Sequence, residues 1–136
     1  MKYAYFLIGL CLFCCNEKNT RDKIEDYLIS FKIQKPKNVL IIHLDGCTGC
    51  FLEHKALVEK ANILNNYEII LVTKSKKKAE ILLGEELANR IVFDTNLLAI
   101  ESGLVTGFPM VFSFDKDGRF IEQTQIDYSS KDQDLP

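Results

Sequence analysis

Residues 37–64 read KNVLIIHLDGCTGCFLEHKALVEKANIL, and the order of signals within this stretch decides the fold. Val39-Leu40-Ile41-Ile42 is an unbroken apolar run rich in β-branched residues, the pattern of a strand buried on both faces. Asp45-Gly46 turns the chain, Cys47-Thr48-Gly49-Cys50 follows, and from Phe51 onward the apolar spacing lengthens to helical. Strand, turn, Cys-x-x-Cys and helix in that order read as a thiol redox signature. The spacing predicts Cys47 at the helix start, where free backbone N–H groups and the positive end of the dipole favour a thiolate. A dipole contribution of about 1–2 kcal/mol corresponds to roughly one pKa unit. Cys50 is expected one turn later on the same face, within reach of a disulfide.

Outward from this stretch, the 136 residues carry a formal charge of −2, which suits one domain and gives no electrostatic footprint for nucleic acid. Five cysteines divide into Cys11, Cys14 and Cys15 near the start and the Cys47/Cys50 pair, so none is left for a structural disulfide framework. Residues 1–15, MKYAYFLIGLCLFCC, hold one early lysine and then an apolar run too short for a membrane span of ~20 residues. The run fits a signal-peptide core, and Leu12-Phe13-Cys14-Cys15 resembles a bacterial lipoprotein signal with Cys15 as the lipidated residue. An uncleaved N-terminal anchor is the alternative. Residues 16–20 read as a tether, and residues 16–136 as one domain.

Ile24, Tyr27, Leu28 and Phe31 have helical spacing. Lys35-Pro36-Lys37 breaks the chain before the central strand, and Asn65-Asn66 ends the helix after the motif. Tyr67–Thr73 reads as a second strand. Lys74-Ser75-Lys76-Lys77-Lys78 has the composition of a solvated loop or helix face. Ala79–Ala88 predicts a helix interrupted near Gly84, Arg90–Phe93 a short apolar piece, and Asn96–Ser102 a helical turn or two. In Val105–Ile126 two strands flank the hairpin signal Asp115-Lys116-Asp117-Gly118. Residues 127–136 read as a loose polar tail.

The Cys47/Cys50 motif after a buried strand, together with Gly107-Phe108-Pro109 before a strand–turn–strand, resembles the thioredoxin superfamily. Phe93-Asp94-Thr95-Asn96 and Phe108-Pro109-Met110-Val111-Phe112 bring it nearest to lipid- or membrane-anchored extracytoplasmic thiol–disulfide oxidoreductases. The resemblance covers about residues 37–126. It implies an α/β fold, a central mixed sheet flanked by helices, with the family's closing C-terminal helix missing. It implies Cys47 as the nucleophile, Cys50 as the resolving thiol, a cis Pro109 beside the pair, and the backbone of Phe108 pairing with substrate. The implied partners are protein thiols and disulfides and an electron-donor protein, with the membrane reached through the lipid. The expected location is outside the cytoplasm of a bacterium, with no cofactor.

Four positions depart from the family pattern. Gly46 stands where an aromatic is usual, Thr48-Gly49 replaces Gly-Pro, Ile41 replaces a buried acid that handles protons, and no closing helix is discernible. His43 and His54 are the residues that could relay protons in the acid's stead; each alone reads first as a hydrogen-bonded core histidine. Asp45 reads as a turn residue that would oppose a thiolate if close to it. Two alternatives stand beside the redox reading. One is a lipoprotein that captures copper or another metal through the cysteine pair; two soft ligands fall short of the four a zinc site needs, and only His43 and His54 could complete the set. The other is a thioredoxin fold kept as an interaction module.

Overall fold

The computed structural model describes residues 20–46, 49–129 and 135–136. The signal segment, Cys15, most of the tether, and Cys47 with Thr48 lie outside the described residues. Helix α1 (20–30) precedes β1 (Asn38–His43), followed by α2 (Phe51–Leu64), β2 (Tyr67–Val72), α3 (Lys76–Leu83) and α4 (Glu85–Ala88). The chain continues through β3 (Val92–Asp94), α5 (Leu98–Glu101), β4 (Met110–Phe114) and β5 (Phe120–Gln125).

The five strands form one sheet in the order β3-β2-β1-β4-β5. β1 is central, parallel to β2 from Asn38↔Tyr67 to His43↔Val72 and antiparallel to β4 from Asn38↔Ser113 to Ile41↔Met110. β3 adds in parallel outside β2, and β5 closes the other side antiparallel to β4. The apolar run of β1 is what a sheet covered on both faces requires. Leu40 and Ile42 join Leu57, Val58 and Ala61 of α2 and Leu82 and Leu83 of α3 in one cluster. Val39 and Ile41 pack on the opposite side with Ile24, Tyr27 and Leu28 of α1 and Ala99 of α5. This alternation is the period of two of a strand. Each fully buried leucine or isoleucine contributes about 1.5–3 kcal/mol of transfer free energy, so β1 is the best-anchored strand of the sheet. An open mixed sheet with helices on both faces is a thioredoxin-like α/β arrangement, as the sequence predicts.

The punctuation signals act where the sequence puts them. Asn65 ends α2 in the left-handed conformation (φ 53°), its N–H donating to Ala61 O. The hairpin turns on Gly118 (φ 81°), and Asp115 Oδ1 accepts from the N–H groups of Asp117 and Arg119 at 2.8 and 2.9 Å. Gly84 separates α3 from α4. Ser75 caps α3 by accepting from Lys78 N, so the lysine run supplies the first turn of that helix.

Two expectations are corrected. The tail following β5 is not wholly loose. Tyr128 and Leu135 pack against the α2/α3 cluster, and Tyr67 OH donates to Pro136 O. The tail's few apolar side chains are drawn to the open flank of that core. Among the described residues no peptide bond is cis, so Phe108–Pro109 is trans, the isomer favoured by about 0.5–1 kcal/mol in X-Pro bonds.

Candidate functional site

The chain leaves β1 at its carboxyl end, where ligand and reaction sites gather in parallel sheets. Leu44 N donates to Val72 O and Gly46 N to His43 O, which folds residues 43–46 into a turn beside the end of β2. Cys50 then forms the N-cap of α2 (φ −93°, ψ 20°), and His54 N donates to Cys50 O at 2.9 Å as the first helical bond. The sequence placed the helix start at the first cysteine, whereas regular helix begins one residue after the second. Gly49, a weak helix former, is exposed and outside the helix. The dipole argument therefore applies first to Cys50. Cys50 is half-buried and disulfide-bonded.

Gly46 has a steric cause. A Cβ there would stand 2.6 Å from His43 Nδ1 and 3.1 Å from its Cγ. The imidazole fills the space an aromatic side chain would need. His43 is only partly buried, and its Nδ1–H donates to Thr106 O at 3.1 Å. That bond ties the end of β1 to the loop carrying Gly107, Phe108 and Pro109. Phe108 is 44 % exposed on this loop, and Leu52, two residues after Cys50, is 74 % exposed. Pro109 is buried, and its carbonyl accepts from Ile126 N. The fold thus brings His43 and the Phe108–Pro109 loop to the same end of the sheet as Cys50.

His54 lies on the other side of the helix start. It is 1 % exposed, its Nδ1 is 2.5 Å from Tyr128 OH, and its Nε2 is buried with no hydrogen-bond partner among the described residues. Burial holds its pKa below the ordinary value, opposed by the Glu53 carboxylate and reinforced by His43 and Lys78. Glu53 also has a buried carboxylate oxygen, Oε2, without a hydrogen-bond partner among the described residues. Burial, and secondarily Glu53, push the Tyr128 phenol upward, so it keeps its proton. Ile41, where the resemblance would put a buried acid, is fully buried among apolar residues on the far face of the sheet. His54 and Tyr128 lie on the α2 side of the sheet instead.

Asp45 is neutralised. Its carboxylate accepts from Lys78 Nζ at 2.6 Å and from Thr73 Oγ1 at 3.0 Å. The Lys78 hydrogen bond is the main cause of its lowered pKa. Its charge is thereby offset at the turn entering the motif. Lys78, Glu53 and Tyr128 are the residues the sequence reading missed. Lys78 is one of four lysines in a run, Glu53 looks like an ordinary first-turn acid, and Tyr128 is a single aromatic in a polar tail. Only the last had a signal, as an isolated apolar ring after the final strand.

Among the described residues, no group of three or more His, Cys, Asp or Glu side chains is placed to hold a metal ion. No described helix is long and apolar enough to cross a membrane. Compared with protein-family models and with curated proteins, the chain matches none.

Proposed function

We propose that this chain is a thiol–disulfide oxidoreductase that reduces disulfides of extracytoplasmic proteins through Cys47 and Cys50, held at the membrane by a lipid on Cys15. The observation that carries the reading is the disulfide-bonded Cys50 at the N-cap of α2, directly off the central strand, with buried His54 one turn below it. The helix N-terminus at Cys50 favours the Cys50 thiolate that forms in the resolving step, and Cys47 is taken as the attacking thiol from the resemblance to thioredoxin-like proteins.

In the reducing direction, Cys47 attacks one sulfur of a substrate disulfide as thiolate. A Cys47–substrate bond forms, and the other substrate sulfur leaves as a thiolate that takes up a proton. Cys50 then loses its proton to a nearby base and attacks Cys47 Sγ. The Cys47–Cys50 disulfide forms and the second substrate thiol is released. Two electrons pass from the cysteine pair to the substrate, and a dithiol donor protein restores the pair. His54 is the proton acceptor for Cys50 because it stands one turn along α2 from it, and His43, at the end of β1, is second. Exposed Phe108 and Leu52 offer apolar contacts to a polypeptide lying across the motif.

The test is a Cys50→Ser variant incubated with a disulfide-containing protein under native conditions. It should stall as a mixed disulfide through Cys47, identified by mass, while Cys47→Ser traps nothing. Trapping only through Cys50 would reverse the roles. No turnover and no trapping, with metal co-purifying and lost in both variants, would replace this reading with metal capture.

A further inference from the structure

Tyr128 lies 74 residues from His54 in the chain, past the last strand, yet its hydroxyl meets His54 Nδ1 and the two rings stand 5.4 Å apart at 58°. His54 spends one nitrogen on this contact and keeps the other buried and unpartnered among the described residues. A buried imidazole nitrogen without a partner costs about 1–3 kcal/mol and calls for an explanation. The helix indicates where the ring lies. Side chains on a helix lean toward its N-terminus, so the ring of His54 covers the turn that Cys50 opens.

We infer that Tyr128 is a positioning residue: its hydroxyl oxygen accepts the Nδ1–H of His54, which leaves the Nε2 lone pair free to take the proton of Cys50. This inference rests on the oxidoreductase reading for its use, though not for its geometry. The direction of the hydrogen bond follows from the unpartnered nitrogen. If the phenol donated to Nδ1, Nε2 would carry a buried N–H with no acceptor among the described residues, a costlier arrangement than a bare lone pair. The Glu53 carboxylate favours the imidazolium once it forms. In the resolving step the Cys50 Sγ–H proton moves to Nε2 and the Cys50 thiolate bonds to Cys47 Sγ. The Cys47–substrate bond breaks, and the departing substrate thiolate takes the proton back from the imidazolium. The charged or titratable neighbours that bias this transfer are Glu53 on α2, His43 on β1, Lys78 on α3 and Tyr128 itself.

Tyr128→Phe removes the oxygen and keeps the ring. Two measurements decide the matter: the ¹⁵N NMR tautomer of His54 in the wild-type chain, and the release rate of a preformed mixed disulfide from pH 5 to 9. The expected wild-type state is Nδ1–H. In Tyr128→Phe the Nε2–H tautomer should gain, and release should slow by about tenfold, the low end for losing a group that orients a histidine. The pH midpoint of release should move, while the initial attack by Cys47 is unchanged. A wild-type Nε2–H tautomer, or an unaltered tautomer and release profile in Tyr128→Phe, would overturn the assignment. Failure of the wild type to turn over any disulfide would sink the oxidoreductase reading instead, with the tautomer still deciding the role of Tyr128.

Discussion

Lys78 Nζ stands 2.6 Å from Asp45 Oδ1 across 33 residues of chain, so the first turn of α3 supplies the counter-charge to the turn that opens the motif. Without this pair the motif would be entered past an uncompensated carboxylate, which opposes a thiolate. Both side chains are more than a third exposed, so the pair acts on the local field more than on stability.

Lys78→Met should therefore lower stability by less than about 1 kcal/mol while raising the apparent pKa of the reactive thiol. The acid side has a definite sign. Asp45 is depressed in the folded chain, so its contribution is complete above the ordinary carboxylate range and is lost as pH falls through the folded value. In the variant that acid-side loss shrinks. Urea titrations at pH 7 and pH 3, with iodoacetamide alkylation rates across pH, read both effects; an unchanged alkylation profile would remove Lys78 from the thiol's environment.

Gly46→Ala places a Cβ against His43 Nδ1 and should cost about 1–3 kcal/mol through overpacking. His43→Ala empties that space, so the double variant should recover most of the loss. A double-mutant cycle on denaturant midpoints checks this. Strict additivity would mean that the two residues do not share the space.

Asp94 is 1 % exposed and accepts from Leu98 N, Ala99 N and Tyr27 OH at 3.0, 2.8 and 3.1 Å. It caps the short helix α5 and ties α1 to the sheet edge. Asp94→Ala should cost about 3 kcal/mol, combining a lost cap with a buried phenol left unpaired. Tyr27→Phe alone should cost about 1 kcal/mol and remove part of the penalty when combined. Thermal unfolding of the three variants decides; equal losses in Asp94→Ala and Tyr27→Phe would contradict the capping role.

His54 predicts a stability slope near neutrality. Burial depresses its pKa, so the neutral folded form is favoured above the unfolded value of about 6.5, and stability falls as pH drops from there through the folded value. His54→Leu should flatten that segment of the profile. Chemical denaturation between pH 5 and 8 tests it, and a slope identical in both chains would place the titration elsewhere.

Cys15→Ser, in the segment before the described residues, should leave the chain unlipidated and release it from the membrane fraction. Retention with an intact N-terminus would identify an uncleaved anchor.

The elements were legible because each carries its own local chemistry. Val39–Ile42 could only be a strand covered on both faces, Asn65 supplied a left-handed helix stop, and Asp115–Gly118 held its turn by side-chain bonds to neighbouring backbone. The placement of Cys50 and His54 at the start and on the buried face of α2, and of Phe108 and Pro109 on the loop before β4, was legible too, since helix face and loop are separated by predictable lengths. The start of α2 was misplaced because a helix boundary depends on which backbone N–H groups find partners. Gly49 tips that balance in a way that periodicity does not register.

What the sequence by itself determined is the set of elements and the positions available for chemistry, because these follow from interactions a few residues apart. Only the tertiary structure decided the surroundings of those positions. Lys78 reaches Asp45 because α3 packs against α2, and Tyr128 meets His54 because the chain after β5 returns to the α2 flank. The shape of His43 forces glycine at 46. The first two relationships join groups that no local spacing connects; the third is local in sequence, but the distant Thr106 carbonyl holds the His43 ring in place. Burial, counter-charge and the partners of a histidine are properties of a packed core, and they exist only once distant segments have been brought together.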